Sequence, residues 1–169
     1  HFVNAFDIYT VGPKIIERLQ DEGLITDGAD LFTLTEADLS GLERFGDKSA
    51  SNIVGNIKER RNPTLDRFIV SLGIIHVGEE TARDLAGHFG TLKKFLNAKE
   101  SDLDEIENIG PAVTESILEY LSDEYHQKFV QKLIDNDVKP KEYKKATGKF
   151  TGLTFVLTGT LPTLSREEA

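Results

Sequence analysis

The sequence predicts an all-α fold built from two paired helical units, followed by the opening of a separate α/β segment. Three observations carry that prediction. Four stretches, TVGPKIIERL, RFGDKSASNI, HVGEETARDL and NIGPAVTESI, each place an apolar residue before a glycine and then run on with helical apolar spacing. Their glycines, Gly12, Gly46, Gly78 and Gly110, lie 34, 32 and 32 residues apart, a period typical of repeated supersecondary units. A longer repeat groups the four in twos: DLFTLTEADLSGLERFG (30–46) parallels TLKKFLNAKESDLDEIENIG (91–110), each with two short helices leading into the glycine.

The individual elements follow from local chemistry. Pro13 and Pro111 stand at the first residue of a helix, where a missing N–H costs nothing. Thr35 and Ser101 are predicted N-caps, with Asp38 and Asp104 three residues on. A long helix is expected over Asp47–Arg61, ended by Asn62-Pro63. Gly23, Gly73 and Gly90 fall where helices should stop. Val113, Ile117, Leu118 and Leu121 form one face of the fourth motif's helix, and Tyr125, Phe129, Leu133 and Ile134 the face of a closing helix. Residues 1–138 are thus expected to form one compact helical domain. A Lys-rich linker follows over 139–150. LTFVLTGT (153–160) then reads as a strand and turn, and Ser165 as the cap of a further helix, so 151–169 is expected to open a truncated second domain.

Bulk properties narrow the function. The chain has 169 residues and no cysteine, which excludes disulfides and Cys-ligated zinc within it and agrees with a reducing compartment. No apolar run approaches the ~18 residues of a membrane span. HFVNAFDIYT has neither the basic start nor the apolar stretch of a signal peptide. The missing initiator Met and the ending SREEA point to a segment of a longer protein. Net charge is −9; residues 139–149 contribute +4 and 150–169 contribute −1, which leaves −12 on residues 1–138. A generic polyanion binder would show the opposite balance.

The repeated glycine reconciles an acidic chain with an anionic ligand. A hairpin glycine is expected to take a positive φ at the turn. The helix behind it begins with amide N–H groups that lack an intrahelical partner and carry the positive end of the helix dipole. A backbone without a Cβ lets a phosphate oxygen approach them. The four motifs therefore read as helix-hairpin-helix elements that bind DNA through Gly12, Gly46, Gly78 and Gly110. Lys14 and Lys48, two residues after their glycines, are placed to reach the same phosphate. Arg44 and His76, two residues before theirs, are candidate phosphate contacts at positions where such motifs usually hold another glycine. The third hairpin carries Glu79 and Glu80 after its glycine, and the fourth Pro111 and Ala112. Gly41–Ser49 imitates a P-loop but has an extra Asp before its Lys and no preceding strand. No nucleophile–base pair or metal-ligand spacing stands out, so no catalytic or metal residue is assigned.

With these motifs in place, the sequence resembles the bacterial NAD-dependent DNA ligases over nearly its whole length. The resemblance is carried by LERFGDKSA (42–50), LGIIHVGEETA (72–82), IENIGPAVTESI (106–117) and LTFVLTGTLPTLSREEA (153–169), in that order. It implies the DNA-clamping helix-hairpin-helix region of a nick-sealing enzyme of replication and repair, followed by the start of a BRCT domain in which Thr158 and Gly159 match the first-strand turn. It also implies that the adenylation chemistry lies elsewhere: NAD, Mg and Zn are expected for the full-length enzyme and none for this stretch. The expected partners are nicked double-stranded DNA and other domains of the same ligase, with no membrane. The expected state is a monomer in the bacterial cytoplasm, associated with the nucleoid. The sequence departs from the family at Tyr9-Thr10-Val11-Gly12, where Asp-Gly-Leu-Gly is usual, and at Asn108 and Ala112. Two other readings stay open: the DNA-binding region of another repair protein, such as an excision-nuclease subunit, and a protein-interaction scaffold.

Overall fold

The computed structural model describes residues 1–42 and 46–144, and over them the fold is all-α. The chain opens with a single turn, α1 (Phe2–Ala5), then bends at Asp7 (φ 55°) into α2 (Pro13–Asp21). A 3₁₀ turn over Gly28–Thr33 and the short α3 (Glu36–Ser40) lead to α4 (Asp47–Glu59). α5 (Leu65–Ser71) passes to the second unit, whose α6 (Glu79–Phe89), α7 (Leu92–Leu96), α8 (Glu100–Asp104) and α9 (Pro111–Ser122) repeat the order of the first. α10 (Glu124–Asp135) is the last helix among the described residues. The strand expected at 153–160 lies outside the described residues. Among the described residues the strand-type pairing is a single parallel bridge, Thr64 to Lys141.

The repeat is visible in the packing. Ala50, Ile53, Val54 and Ile57 line the buried side of α4, and Ala82, Leu85, Ala86 and Phe89, each 32 positions later, line that of α6. Leu65, Phe68, Ile69, Val70 and Ser71 of α5 are buried, and Asp66 and Arg67 partly so. A helix covered to that extent lies between layers, and α5 packs on both α1 and α6. Phe6 is the centre of an aromatic cluster, stacked on Phe2 at 4.6 Å and edge-on to Phe32 and Phe68 at 5.3 and 6.3 Å.

The caps are in part those expected. Thr35 and Asp38 form a reciprocal box, in which the Thr35 amide donates to Asp38 Oδ2 at 2.8 Å. In the second unit the box is shifted. The cap position is Lys99, whose amide donates to Asp102 Oδ2 at 2.9 Å, and Ser101 lies inside α8 rather than capping it. An acidic side chain accepting from the exposed amide serves there without a capping hydroxyl. Gly23, Gly73 and Gly90 hold φ of 69°, 68° and 71° at helix ends, as their positions imply.

The closing helix departs from its expected face. Leu133 and Val130 are buried, Phe129 is partly so, while Tyr125 is exposed and Ile134 borders solvent. The face is turned because α10 is held from its polar side as well. Lys132 Nζ bridges Asp27 and Asp30 at 2.9 and 2.7 Å, and the Asn136 amide donates to Ala29 O at 2.8 Å. Burial pushes the Asp30 carboxyl up, but the Lys132 ammonium and hydrogen bonds from Thr26 and the Asp27 amide outweigh it and hold it at about 2. Beyond α10 the backbone crosses the molecule. The amides of Lys139, Lys141 and Tyr143 donate to Arg61 O, Pro63 O and Gly90 O, each at 2.8 Å.

Candidate nucleic-acid interface

Each hairpin is anchored from below. Four residues before the glycines stand Ile8, Leu42, Ile74 and Ile106, all buried. In the first, third and fourth hairpins the residue before the glycine donates its amide back to that anchor's carbonyl: Val11 to Ile8 at 3.3 Å, Val77 to Ile74 at 3.1 Å, Ile109 to Ile106 at 3.2 Å. This closes a one-turn loop whose two apolar ends are sunk in the core and whose middle faces outward. In the second hairpin residues 43–45, including Arg44, lie outside the described residues.

The hairpin glycines do not take the positive φ expected of them. Gly12, Gly46, Gly78 and Gly110 have φ of −81°, −86°, −91° and −93° with extended ψ, a conformation open to any residue. The left-handed residue sits two positions earlier, at His76 (φ 66°) and Asn108 (φ 72°). The turn is made before the glycine, and the glycine itself is the N-cap of the next helix.

Nothing inside the molecule then accounts for glycine. A Cβ built at any of the four would meet no atom within 4 Å among the described residues. Gly28 shows the contrast, since a Cβ there would run into the Phe2 ring at 2.7 Å. The space at the four hairpins is outside the chain, in front of the helix N-termini. The glycine carbonyls accept from Ile15 and Ile16, from Ser49 and Ala50, from Ala82, and from Val113 and Thr114. The amides ahead of these, among them Lys14, Lys48, Glu80 and Ala112, have no hydrogen-bond partner among the described residues. Pro13 and Pro111 supply no amide in their hairpins.

The candidate side chains surround these ends unequally. Lys14, Lys48 and His76 are exposed on the same short arcs as their glycines. His76 also sets the left-handed turn, a second reason for its position. Arg67 was not foreseen. From α5 its guanidinium reaches Asp7 Oδ1 at 2.5 Å and Asn4 O at 2.8 Å in the first hairpin, and Glu79 Oε1 at 3.6 Å in the third. Tyr9 donates its hydroxyl to the same Asp7 oxygen at 2.6 Å, and that bond holds the Tyr9 phenol above its ordinary pKa. One cation thus ties the end of α1, just before the first hairpin, to the start of α6 behind the third, and offsets a carboxylate at each. Arg67 stands 21 and 11 residues from Gly46 and Gly78, so no periodicity marks it; the buried anchors, by contrast, recur at the glycine period. Among the described residues there is no group of three or more His, Cys, Asp or Glu that could hold a metal, and no helix is long and apolar enough to cross a membrane.

Four glycine-capped helices, three of them behind described one-turn loops anchored in the core, joined in two units, define a tandem helix-hairpin-helix domain. Comparison with known families agrees: the family described as "SAM-like Helix-hairpin-helix tandem" matches residues 6–59, and that described as "Helix-hairpin-helix motif" matches residues 67–130. The chain is 43% identical over 174 aligned residues to a DNA ligase of Alkalilimnicola ehrlichii and 44% identical over 174 to a DNA ligase of Desulforudis audaxviator. Each alignment covers 100% of this chain and 26% of the relative. The chain therefore belongs with the DNA ligases, as their helix-hairpin-helix region, and spans about a quarter of the length of those relatives.

Proposed function

We propose that this chain binds duplex DNA without regard to base sequence and serves as the DNA-clamping part of an NAD-dependent ligase that seals nicks. The observation that carries the reading is the set of four hairpin glycines: neither their φ values nor their surroundings require glycine, and each leaves open space before a helix N-terminus. A phosphate oxygen is the group that such a space and such amides fit. Contacts of this kind position a duplex and carry no sequence information.

The assignment distributes the work. Gly12, Gly46, Gly78 and Gly110 admit the phosphates; Lys14 and Lys48 add cations to the first unit; Arg44 and His76 flank their hairpins. Bond formation belongs to other parts of a ligase. NAD, Mg and Zn, expected for the full-length enzyme, are assigned to those parts as well. The 151–169 segment is proposed as the start of a BRCT domain, and the whole as a monomer working on nicked DNA in a bacterial cytoplasm.

Fluorescence anisotropy with labelled nicked and intact duplexes tests the reading. Because neutral amides displace few condensed counterions, log Kd against log salt should have a slope of about 2–4, against the ~10 of a binder driven by Lys and Arg. A steep slope would refute capture by amides, and absence of binding to any duplex would refute the function.

A further inference from the structure

We propose that Tyr9 and Ile75 are paired apolar tips that the first and third hairpins press into the minor groove of the bound duplex. The inference rests on the DNA-binding reading above and adds what touches the groove between the phosphates. Tyr9 and Ile75 are 75% and 69% exposed, and with Tyr125 they are the most exposed large apolar side chains among the described residues. They occupy one register, three residues before Gly12 and Gly78. The flanking positions on either side of the loop are buried, Ile8 and Val11 around Tyr9, Ile74 and Val77 around Ile75. Each tip is therefore carried on a loop anchored at both ends, and each stands beside a helix N-terminus that faces open space.

Location separates these two residues from ordinary surface apolar groups. Scattered exposed apolar residues need no explanation, but two at the same repeat position, both at the proposed phosphate-facing edge, do. In the second and fourth hairpins the same register holds Glu43 and Glu107. A carboxylate is repelled by the groove's phosphates, whereas an aliphatic or aromatic side chain can lie against sugar edges or wedge into a base step. The minor groove is about 6 Å wide, too narrow for a helix but wide enough for a single side chain on a loop. By sequence, each unit thus pairs one apolar residue with one acidic residue at this register.

The two tips are braced as a pair. The Tyr9 hydroxyl is held by Asp7, Asp7 by Arg67, and Arg67 also reaches Glu79, the residue after Gly78. A wedge must be held against the duplex it distorts, and this chain of contacts links both loops to α5 at the centre of the fold.

The test uses the full chain and a series of nicked duplexes with 2-aminopurine stepped across the nick. Binding of the wild type should raise 2-aminopurine fluorescence at discrete steps, as unstacking does. Tyr9→Ser and Ile75→Ser should each weaken binding about tenfold, and the double variant should abolish the fluorescence rise. The salt slope should stay unchanged, because no charge is removed. Circular dichroism should show intact helices, since both side chains are on the surface. Tyr125→Ser, equally exposed but outside any hairpin, should behave as the wild type. If the double variant binds within about twofold of the wild type and gives the same fluorescence pattern, the tips do not enter the groove, although the DNA-binding reading survives. A wild type that fails to bind any duplex overturns both.

Discussion

The first and second units share one backbone but differ in the side-chain charge that follows their hairpin glycines. Both present glycine N-caps in extended geometry with no atom of the described residues within 4 Å of a Cβ built there. Two residues after the glycine, the first unit has Lys14 and Lys48, and the second has Glu80 and Ala112. Glu79 and Glu80 suit the α6 helix, since acidic groups favour an N-terminus, and the same charges oppose a phosphate there. On the proposed function, the hairpin's phosphate-facing surface is backbone, and side-chain charge is a separate layer laid over it. Affinity should accordingly be concentrated in the first unit, with the second aligning the duplex without a lysine behind its hairpin glycines.

The sharpest way to break this comparison is to fill the space before each glycine. Asp is a good N-cap and its Cβ would meet no atom of the described residues, so Gly46→Asp should leave helicity and melting temperature unchanged. It should nevertheless weaken binding of nicked duplex by about 30-fold, roughly 2 kcal/mol, by placing a carboxylate where a phosphate sits. Gly110→Asp should cost about fivefold on the same argument. Equal losses in anisotropy titrations would show that the two units share the load.

Exchanging the charge layer is the next step down. Lys14→Ala with Lys48→Ala should lower affinity about tenfold and reduce the salt slope by about 2, one per lysine. Glu80→Lys with Ala112→Lys should move both quantities in the opposite direction. If the lysine pair can be removed with no change in slope, the cations are bystanders.

The joint between the units should answer to pH. The Asp30 carboxyl is held at about 2, below its ordinary value, so the stability it supplies is complete above pH 4 and lost as pH falls toward 2. Asp30→Asn should destabilise the chain by about 1 kcal/mol at pH 7, after allowing for screening at this partly exposed pair. The difference should vanish near pH 2 in urea melts. A constant difference across that range would mean that Asp30 acts through shape, not charge.

The smallest expected effect concerns Arg67. Arg67→Gln should weaken DNA binding about threefold, because Asp7 and Glu79 are left uncompensated near the first and third hairpins. Asp7→Asn with Glu79→Gln in the same background should restore it. Failure of that rescue would assign Arg67 to packing rather than to charge.

Much of this was legible in the chain. Four glycines at a near-constant period, with Pro13 and Pro111 behind two of them, locate the hairpins and four major helix starts without any structure. The buried rows of α4 and α6 follow from the same period. The glycine conformation was not legible. A glycine in a turn suggests a positive φ, but here the turn is completed at His76 and Asn108, and short polar residues such as Asn tolerate that region. Arg67 was hidden because its partners are 60 residues before it and 12 after it, and only the packing of α5 on α1 and α6 brings them together. The face of α10 was misread at Tyr125 and Ile134 because that helix is fixed by Lys132 and Asn136 to residues more than 100 positions away.

That last attachment sets the order in which the molecule can be assembled. Phe129 of α10 meets Phe2 at 6.0 Å, and Lys132 and Asn136 fasten the same helix to the Asp27–Asp30 turn. The N-terminal unit is therefore finished only when the last helix arrives, so a ribosome-bound chain lacking α10 would hold its first unit open. Loop closure over so many residues slows the final step. It also couples the two units, which should melt in one transition, with calorimetric and van't Hoff enthalpies in agreement.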